Sequence, residues 1–201
     1  MVSRELGPAP FSPSDPLLRV ATAMFIRDGW IDLRLLAKEA DIGRATLYRR
    51  YGDRDRILGE VLWGLAKKIM KQVGVRHRGQ GARGIAHTVS EVAQYGAEMP
   101  SMRLFVSRHT ETALRVLTSK HGVVQRRFIE SIAALIDEEL GALPDIDSTT
   151  LAFAVHRLSE SFYYRELITG EPADMPTATI IIERLLIDPS DGKKATAMEP
   201  T

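Results

Sequence analysis

Seven apolar residues, Ile57, Leu58, Val61, Leu62, Leu65, Ile69 and Val73, recur at helical spacing over about five turns of helix. A stripe of that length commits the region to one long amphipathic helix, and the same spacing returns on both sides of it. Leu17, Leu18, Ala21, Met24 and Phe25 follow Asp15-Pro16, a capping carboxylate with proline in the first turn, and Gly29 ends the pattern; this predicts a helix over 16–28. Asp32 is placed to cap a short second helix carrying Leu33, Leu36, Ala37 and Ala40. Asp41-Ile42-Gly43 then turns the chain into a third, Arg44 to Arg50. Beyond the long helix and a glycine-rich break at 79–84, helical patterns run over 85–98, 101–108, 110–119, 122–141, 148–169 and 177–187. The β-branched run Ile180-Ile181-Ile182 continues into Glu183, Arg184, Leu185 and Leu186, which fits a buried helix better than a strand. The expected fold is all-α, a three-helix N-terminal unit at 15–53 and a larger helical body at 54–187, with disordered ends at 1–14 and 188–201.

Composition narrows the chemistry. At 201 residues and 44% hydrophobic content the chain has enough apolar side chains for a real core. The absence of cysteine excludes disulfide frameworks, thiolate metal sites and thiol nucleophiles. The five histidines (77, 87, 109, 121 and 156) show no i, i+4 pair, so neither a metal nor any other cofactor is expected. No apolar run approaches signal-peptide or membrane-span length, which predicts a soluble, cytoplasmic protein with no membrane partner. A net charge of +1 rules out a uniformly basic coat, so any affinity for nucleic acid has to come from local clustering.

Such a cluster exists. From Gly43 to Arg56 five arginines (44, 49, 50, 54 and 56) face two acids (Asp53 and Asp55), a local +3 within fourteen residues. Phosphate affinity needs this concentration, because each neutralised phosphate releases counterions. Thr46 and Tyr48 interleave the arginines with groups able to bond a phosphate or touch a base edge. Leu33–Ala40, Asp41–Gly43 and Arg44–Arg50 have the lengths of a helix-turn-helix whose second helix enters the major groove. Gly79-Gln80-Gly81-Ala82-Arg83-Gly84 satisfies the letter of a dinucleotide fingerprint but follows no strand, and reads as a flexible basic loop.

Three runs carry a family resemblance: Leu18-x-x-Ala21-x-x-Met24-Phe25-x-x-x-Gly29-Trp30, Leu36-Ala37-x-x-Ala40-x-Ile42, and Ala45-Thr46-Leu47-Tyr48-x-x-Tyr51-Gly52-Asp53-Arg54-Asp55-x-Ile57-Leu58. Together, over about residues 16–62, they closely resemble the DNA-binding domain of TetR-family repressors. The resemblance implies a DNA-contact set of Arg44, Ala45, Thr46, Tyr48, Arg49 and Arg54, the last a backbone clamp at the start of the long helix. Three departures stand out: a link after Trp30 about two residues shorter than usual, Asp32 where Ser or Thr is common, and Gly43 in place of the usual serine cap. A carboxylate facing phosphate repels it, so Asp32 is left out of the contact set. Arg50 stands where an aromatic residue is common; an extra phosphate contact and a pairing with Asp53 or Asp55 both remain open.

For the body, the resemblance implies a ligand-binding and dimerisation domain. The run Phe162 to Pro172 looks like the end of the family's penultimate helix, and members dimerise through their last two long helices, which points to Leu158, Phe162, Ile181 and Leu185 at the interface. Residues 113–125 resemble regulators of quorum-quenching lactonase genes within the family. A polar minority in an apolar body, His109, Arg115, Gln125, His156 and Arg165 with the aromatics Phe105 and Phe128, is the composition of a small-molecule site, and suggests a largely apolar inducer such as a lactone or acyl compound. The expectation is a homodimeric repressor that binds double-stranded, pseudo-palindromic operator DNA and is released when the inducer binds. The long helix is expected to be the only element continuous from the DNA-binding unit into the body. The rivals are an all-α enzyme, for which the chain offers no nucleophile–base set, and a regulator or interaction module without an inducer.

Overall fold

The computed structural model describes residues 15–119 and 122–187. Among these, eleven helices and no strand occur: α1 (Pro16–Asp28), α2 (Leu33–Glu39), α3 (Arg44–Tyr51), α4 (Arg54–His77), α5 (Gly81–Glu98), α6 (Pro100–Arg108), α7 (Thr110–Thr118), α8 (Val123–Leu140), α9 (Ser148–Tyr163), α10 (Arg165–Thr169) and α11 (Met175–Leu186). The expected disordered ends lie outside the described residues, as do Lys120 and His121.

Packing divides the described residues into two compact units, one within 15–68 and 96–127, the other within 69–95 and 128–187. The first therefore takes in α6 and α7 along with the three N-terminal helices and does not coincide with a cut at residue 53. Nor is α4 the only element with residues in both, since α5 and α8 are divided as well.

In the first unit the predicted caps form. The Asp15 carboxylate accepts from Leu17 N at 2.9 Å, and Gly29, at φ 66°, ends α1 in the left-handed conformation that favours glycine. Glycine is required there twice over, because a Cβ would stand 2.8 Å from Ser101 O and from Leu104 Cβ, so the end of α1 rests directly on α6. Phe25 and Phe105, both fully buried, meet edge to face at 5.7 Å beneath that contact. Two ion pairs bind later helices to α4: Arg115 of α7 to Asp55 at 2.6 Å, and Arg127 of α8 to the buried Glu60 at 2.7 Å.

The second unit is built around Ile85, Ala86, Val89, Ile132, Ile136, Ala152, Val155, Ile182 and Leu186, contributed by α5, α8, α9 and α11. Its helices differ from expectation in two places. The break at 79–84 is shorter than predicted, because α5 already starts at Gly81: the Glu139 carboxylate of α8 accepts from Gly79 N (2.8 Å) and Gly81 N (2.9 Å) and so anchors the turn. The glycine loop does cradle an anion, but that anion is the chain's own side chain. The predicted helix over 148–169 is interrupted at Tyr164, where the backbone (φ −90°, ψ 13°) separates α9 from the short α10. Ile180, Ile181 and Ile182 lie in a helix, capped at its start by Asp174, whose carboxylate accepts from Thr177 N.

Candidate functional site

Helix α3 is positioned from its buried side. Leu47 and Tyr51 of α3 point inward, and the Tyr51 hydroxyl donates to Asp15 Oδ1 at 3.2 Å, tying the end of α3 to the start of α1. One turn apart on a helix, these anchors leave the opposite side to solvent. Arg44, Ala45, Tyr48, Arg49 and Arg50 are exposed and Thr46 is half-buried. The turn before α3 bends through Asp41 at φ 51°, and Ile42 N donates back to Ala37 O at 3.0 Å.

Asp32 and Gly43 acquire their physical meaning here. The Asp32 carboxylate accepts from Arg34 N (2.7 Å) and Leu35 N (3.1 Å), and these backbone bonds hold it below the usual carboxylate range. It serves the end of α2 as its cap. Gly43 caps α3 with no side-chain bond, at an ordinary φ of −66°, and a Cβ there meets nothing nearer than Thr46 Oγ1 at 3.9 Å. Gly43→Ser is therefore expected to raise stability by a few tenths of a kcal/mol. Thermal unfolding checks this, and a lower melting temperature would contradict it.

Arg54 is engaged within the chain. Its Nε donates to Ile31 O at 3.0 Å and its guanidinium lies 4.7 Å over the Trp30 ring. Asp53 accepts from Arg56 N and Asp55 from Arg115, while the exposed Arg50 lies with its guanidinium 5.2 Å from the Tyr51 ring. Both carboxylates weighed as partners of Arg50 thus have other bonds.

The ligand candidates separate. In the first unit, Phe105 is core, His109 stacks on Trp30 at 3.7 Å, and exposed Arg115 pairs with Asp55. Gln125, with its amide oriented to donate, bonds Thr118 O (3.0 Å) and Ser119 O (3.1 Å), joining α8 to the end of α7. In the second unit, Arg165 lies 3.7 Å from Asp174. Two pairs among them meet: Phe105 and His109, with ring centroids 6.5 Å apart and tilted, and Phe128 and His156, their rings stacked at 5.5 Å.

The His156 neighbourhood is the chemically unusual part of the second unit. Its Nε2 is buried without a hydrogen bond among the described residues; Glu160 Oε1, one turn on, is 3.5 Å away. Glu160 takes Arg157 as its ion-pair partner at 2.7 Å, yet burial holds its carboxyl above the usual range. Burial pushes the Tyr163 phenol up to about 12 and Tyr164 well above its ordinary value. Glu160, Tyr163 and Tyr164 were not among the predicted residues, although the i, i+4 spacing of His156 and Glu160 was a signal that could have found the first.

Burial also lowers His156 from its ordinary 6.5 to about 4, assisted by the nearby Arg157 charge. The folded chain keeps the neutral ring while the unfolded chain takes up a proton near 6.5, so the contribution is fully present above that pH and is lost between about 6.5 and 4. The expected fall is up to about 1.4 kcal/mol per pH unit in that window. Urea unfolding across the window should show it, and His156→Phe should flatten it; equal acid sensitivity in the variant would exclude His156 as the cause.

Among the described residues no group of three or more His, Cys, Asp or Glu side chains is placed to hold a metal ion, and no helix is long and apolar enough to cross a membrane.

What these elements define is a helix-turn-helix unit followed by a helical C-terminal domain. The family model "Tetracyclin repressor-like, C-terminal domain" matches residues 80–187, more than half of the chain. The chain belongs to the TetR family of transcriptional regulators. Among solved structures it is similar to the transcriptional repressor QsdR from the TetR family of R. erythropolis, with 24% identity, 85% of this chain and 92% of that one covered, and a TM-score of 0.77. It is also similar to the multidrug binding protein EbrR complexed with imidazole, with 18% identity, 90% and 98% covered, and a TM-score of 0.55. At these identities the likeness is one of fold. No curated protein matched the chain.

Proposed function

We propose that the protein is a homodimeric transcriptional repressor that binds a pseudo-palindromic operator through two copies of α3 and releases it when a small, largely apolar molecule binds. The observation that carries this reading is the outward row Arg44, Tyr48 and Arg49 on a helix whose inner side is anchored by Leu47 and Tyr51. Arg44, Ala45, Thr46, Tyr48 and Arg49 contact the half-site, and Arg54 grips the backbone with the nitrogens it does not spend on Ile31. Exposed Ile181 and Leu185 with half-buried Leu158 and Phe162 form the dimer face. For the inducer, the stacked pair of Phe128 and neutral His156 favours an uncharged polar head over a carboxylate, since burial keeps the imidazole uncharged and the neighbouring Arg157 is engaged by Glu160. Lactones and acyl compounds without a free acid fit that description. Assignment to the lactonase-gene regulators is supported by the fold likeness to QsdR; Lys120 and His121 of the run that suggested it lie outside the described residues.

A gel shift on the DNA upstream of the protein's own coding sequence tests the reading. Wild type is expected to shift it, Arg44→Ala and Arg49→Ala each to weaken binding, and Arg44→Ala to alter the preferred sequence by about 1–3 kcal/mol at one base pair. If both variants leave affinity unchanged at low salt, α3 is not the reading helix.

A further inference from the structure

Three consecutive residues in the link between α1 and α2 each hold a different part of the first unit. Asp32 caps α2 through Arg34 N and Leu35 N. Ile31 O accepts from Arg54 Nε at the start of α4. Trp30 lies under the Arg54 guanidinium at 4.7 Å and against His109 at 3.7 Å, the two rings within 18° of parallel. His109 stands at the junction of α6 and α7, ending one helix and starting the next at φ −136°, ψ 44°. Phe105, one turn earlier on α6, lies 6.2 Å from the same indole.

We propose that Trp30 is a positioning residue for DNA binding: its indole sets the plane of the Arg54 guanidinium, and His109 makes that plane depend on where the α6–α7 junction stands. The inference rests on the DNA-binding reading above and gives Trp30 and His109 a role that neither the sequence motifs nor the family match assign. An arginine side chain free in solvent loses rotamer entropy on gripping a phosphate. One held by an Nε bond and an aromatic face has already lost most of it, and still presents its two terminal nitrogens in a fixed fork. The Ile31 carbonyl and the Trp30 face supply the two constraints that define a plane. Because Gly29 seats the end of α1 directly on α6, the indole cannot follow α1 independently of α6. A shift of the α6–α7 junction therefore reaches Arg54 and the start of α2 together, through packing within one unit, with no tilt of α4 required.

Phosphate contacts are independent of sequence, so the test uses a labelled duplex of random sequence and fluorescence anisotropy at several salt concentrations. Arg54→Ala is expected to weaken binding about tenfold and to reduce the salt slope by about one. Trp30→Leu is expected to do the same although it removes no charge, and Trp30→Phe, which keeps an aromatic face, to recover most of the loss. The double variant Trp30→Leu/Arg54→Ala should bind no worse than Arg54→Ala alone, because both changes remove one contact. His109→Leu, which leaves Trp30 in place, should shift the slope in the same direction and covers the case in which Trp30→Leu does not fold. Wild-type affinity and slope in both Trp30→Leu and His109→Leu, or losses that multiply in the double variant, would overturn the proposal. Failure of the wild type to bind any duplex would sink the DNA-binding reading itself, and this inference with it.

Discussion

Arg127→Ala is expected to destabilise the fold by about 3–5 kcal/mol, because it strands a carboxylate inside the protein. The Glu60 side chain is 7% exposed, and Arg127 meets it with both terminal nitrogens, at 2.7 and 3.2 Å. Bidentate geometry makes the pair a strong one, but its energetic weight lies in what removal leaves behind. Glu60→Ala should cost less, since the Arg127 side chain is 24% exposed and long enough to carry its charge to water. For a chain of this size the first substitution corresponds to a fall of roughly 10 °C in melting temperature. Replacing both residues by leucine should recover much of the loss, as buried pairs exchanged for apolar groups commonly do. Thermal unfolding of the three variants checks the ordering. Equal losses in both single variants would show that stranding a buried charge is not the dominant effect.

That pair also marks where the sequence stopped being legible. Helices α1 to α4 were readable to within a few residues because their signals are local: Asp15 and Pro16 at one end, Gly29 at φ 66°, and the stripe from Ile57 to Val73. The start of α5 was misplaced because the carboxylate that anchors it, on Glu139, lies nearly sixty residues along the chain from Gly79 and Gly81. A glycine run reads as a loop until its partner is known. The ligand candidates divided for the same reason. Arg115 and Gln125 were chosen as polar groups in an apolar region, yet their polarity is spent on Asp55 and on the last carbonyls of α7, partners that composition cannot reveal. Trp30 was quoted only as part of a motif; its contacts lie with His109, seventy-nine positions away, and with Arg54. The exposed side of α3 was legible because Leu47 and Tyr51 alternate with arginines at helical spacing, so charge and burial separate within the helix itself.

Ile181→Asp is expected to yield a folded monomer and to weaken operator binding by a factor of about 10²–10⁴, the gain that linking two half-site readers supplies. In α11, Ala178, Ile182 and Leu186 face the core of the second unit, whereas Ile181 and Leu185 are 38% and 46% exposed. On α9, Phe153 is exposed as well. Large apolar groups clustered on a surface indicate an interface more strongly than scattered ones do, and a second copy of the same face satisfies two-fold symmetry. A carboxylate at Ile181 costs the isolated chain little, because the position is already open to water, but in a dimer it places two like charges against an apolar surface. The neighbouring substitution Ile182→Asp is the contrast: that side chain is fully buried, and a charge there should unfold the second unit outright. Two adjacent isoleucines thus separate assembly from folding. Sedimentation and circular dichroism read the two properties independently. A variant Ile181→Asp that remains dimeric, with operator affinity within a few-fold of wild type, would move the interface away from this face of α11 and with it the symmetry that sets the spacing of the two reading helices.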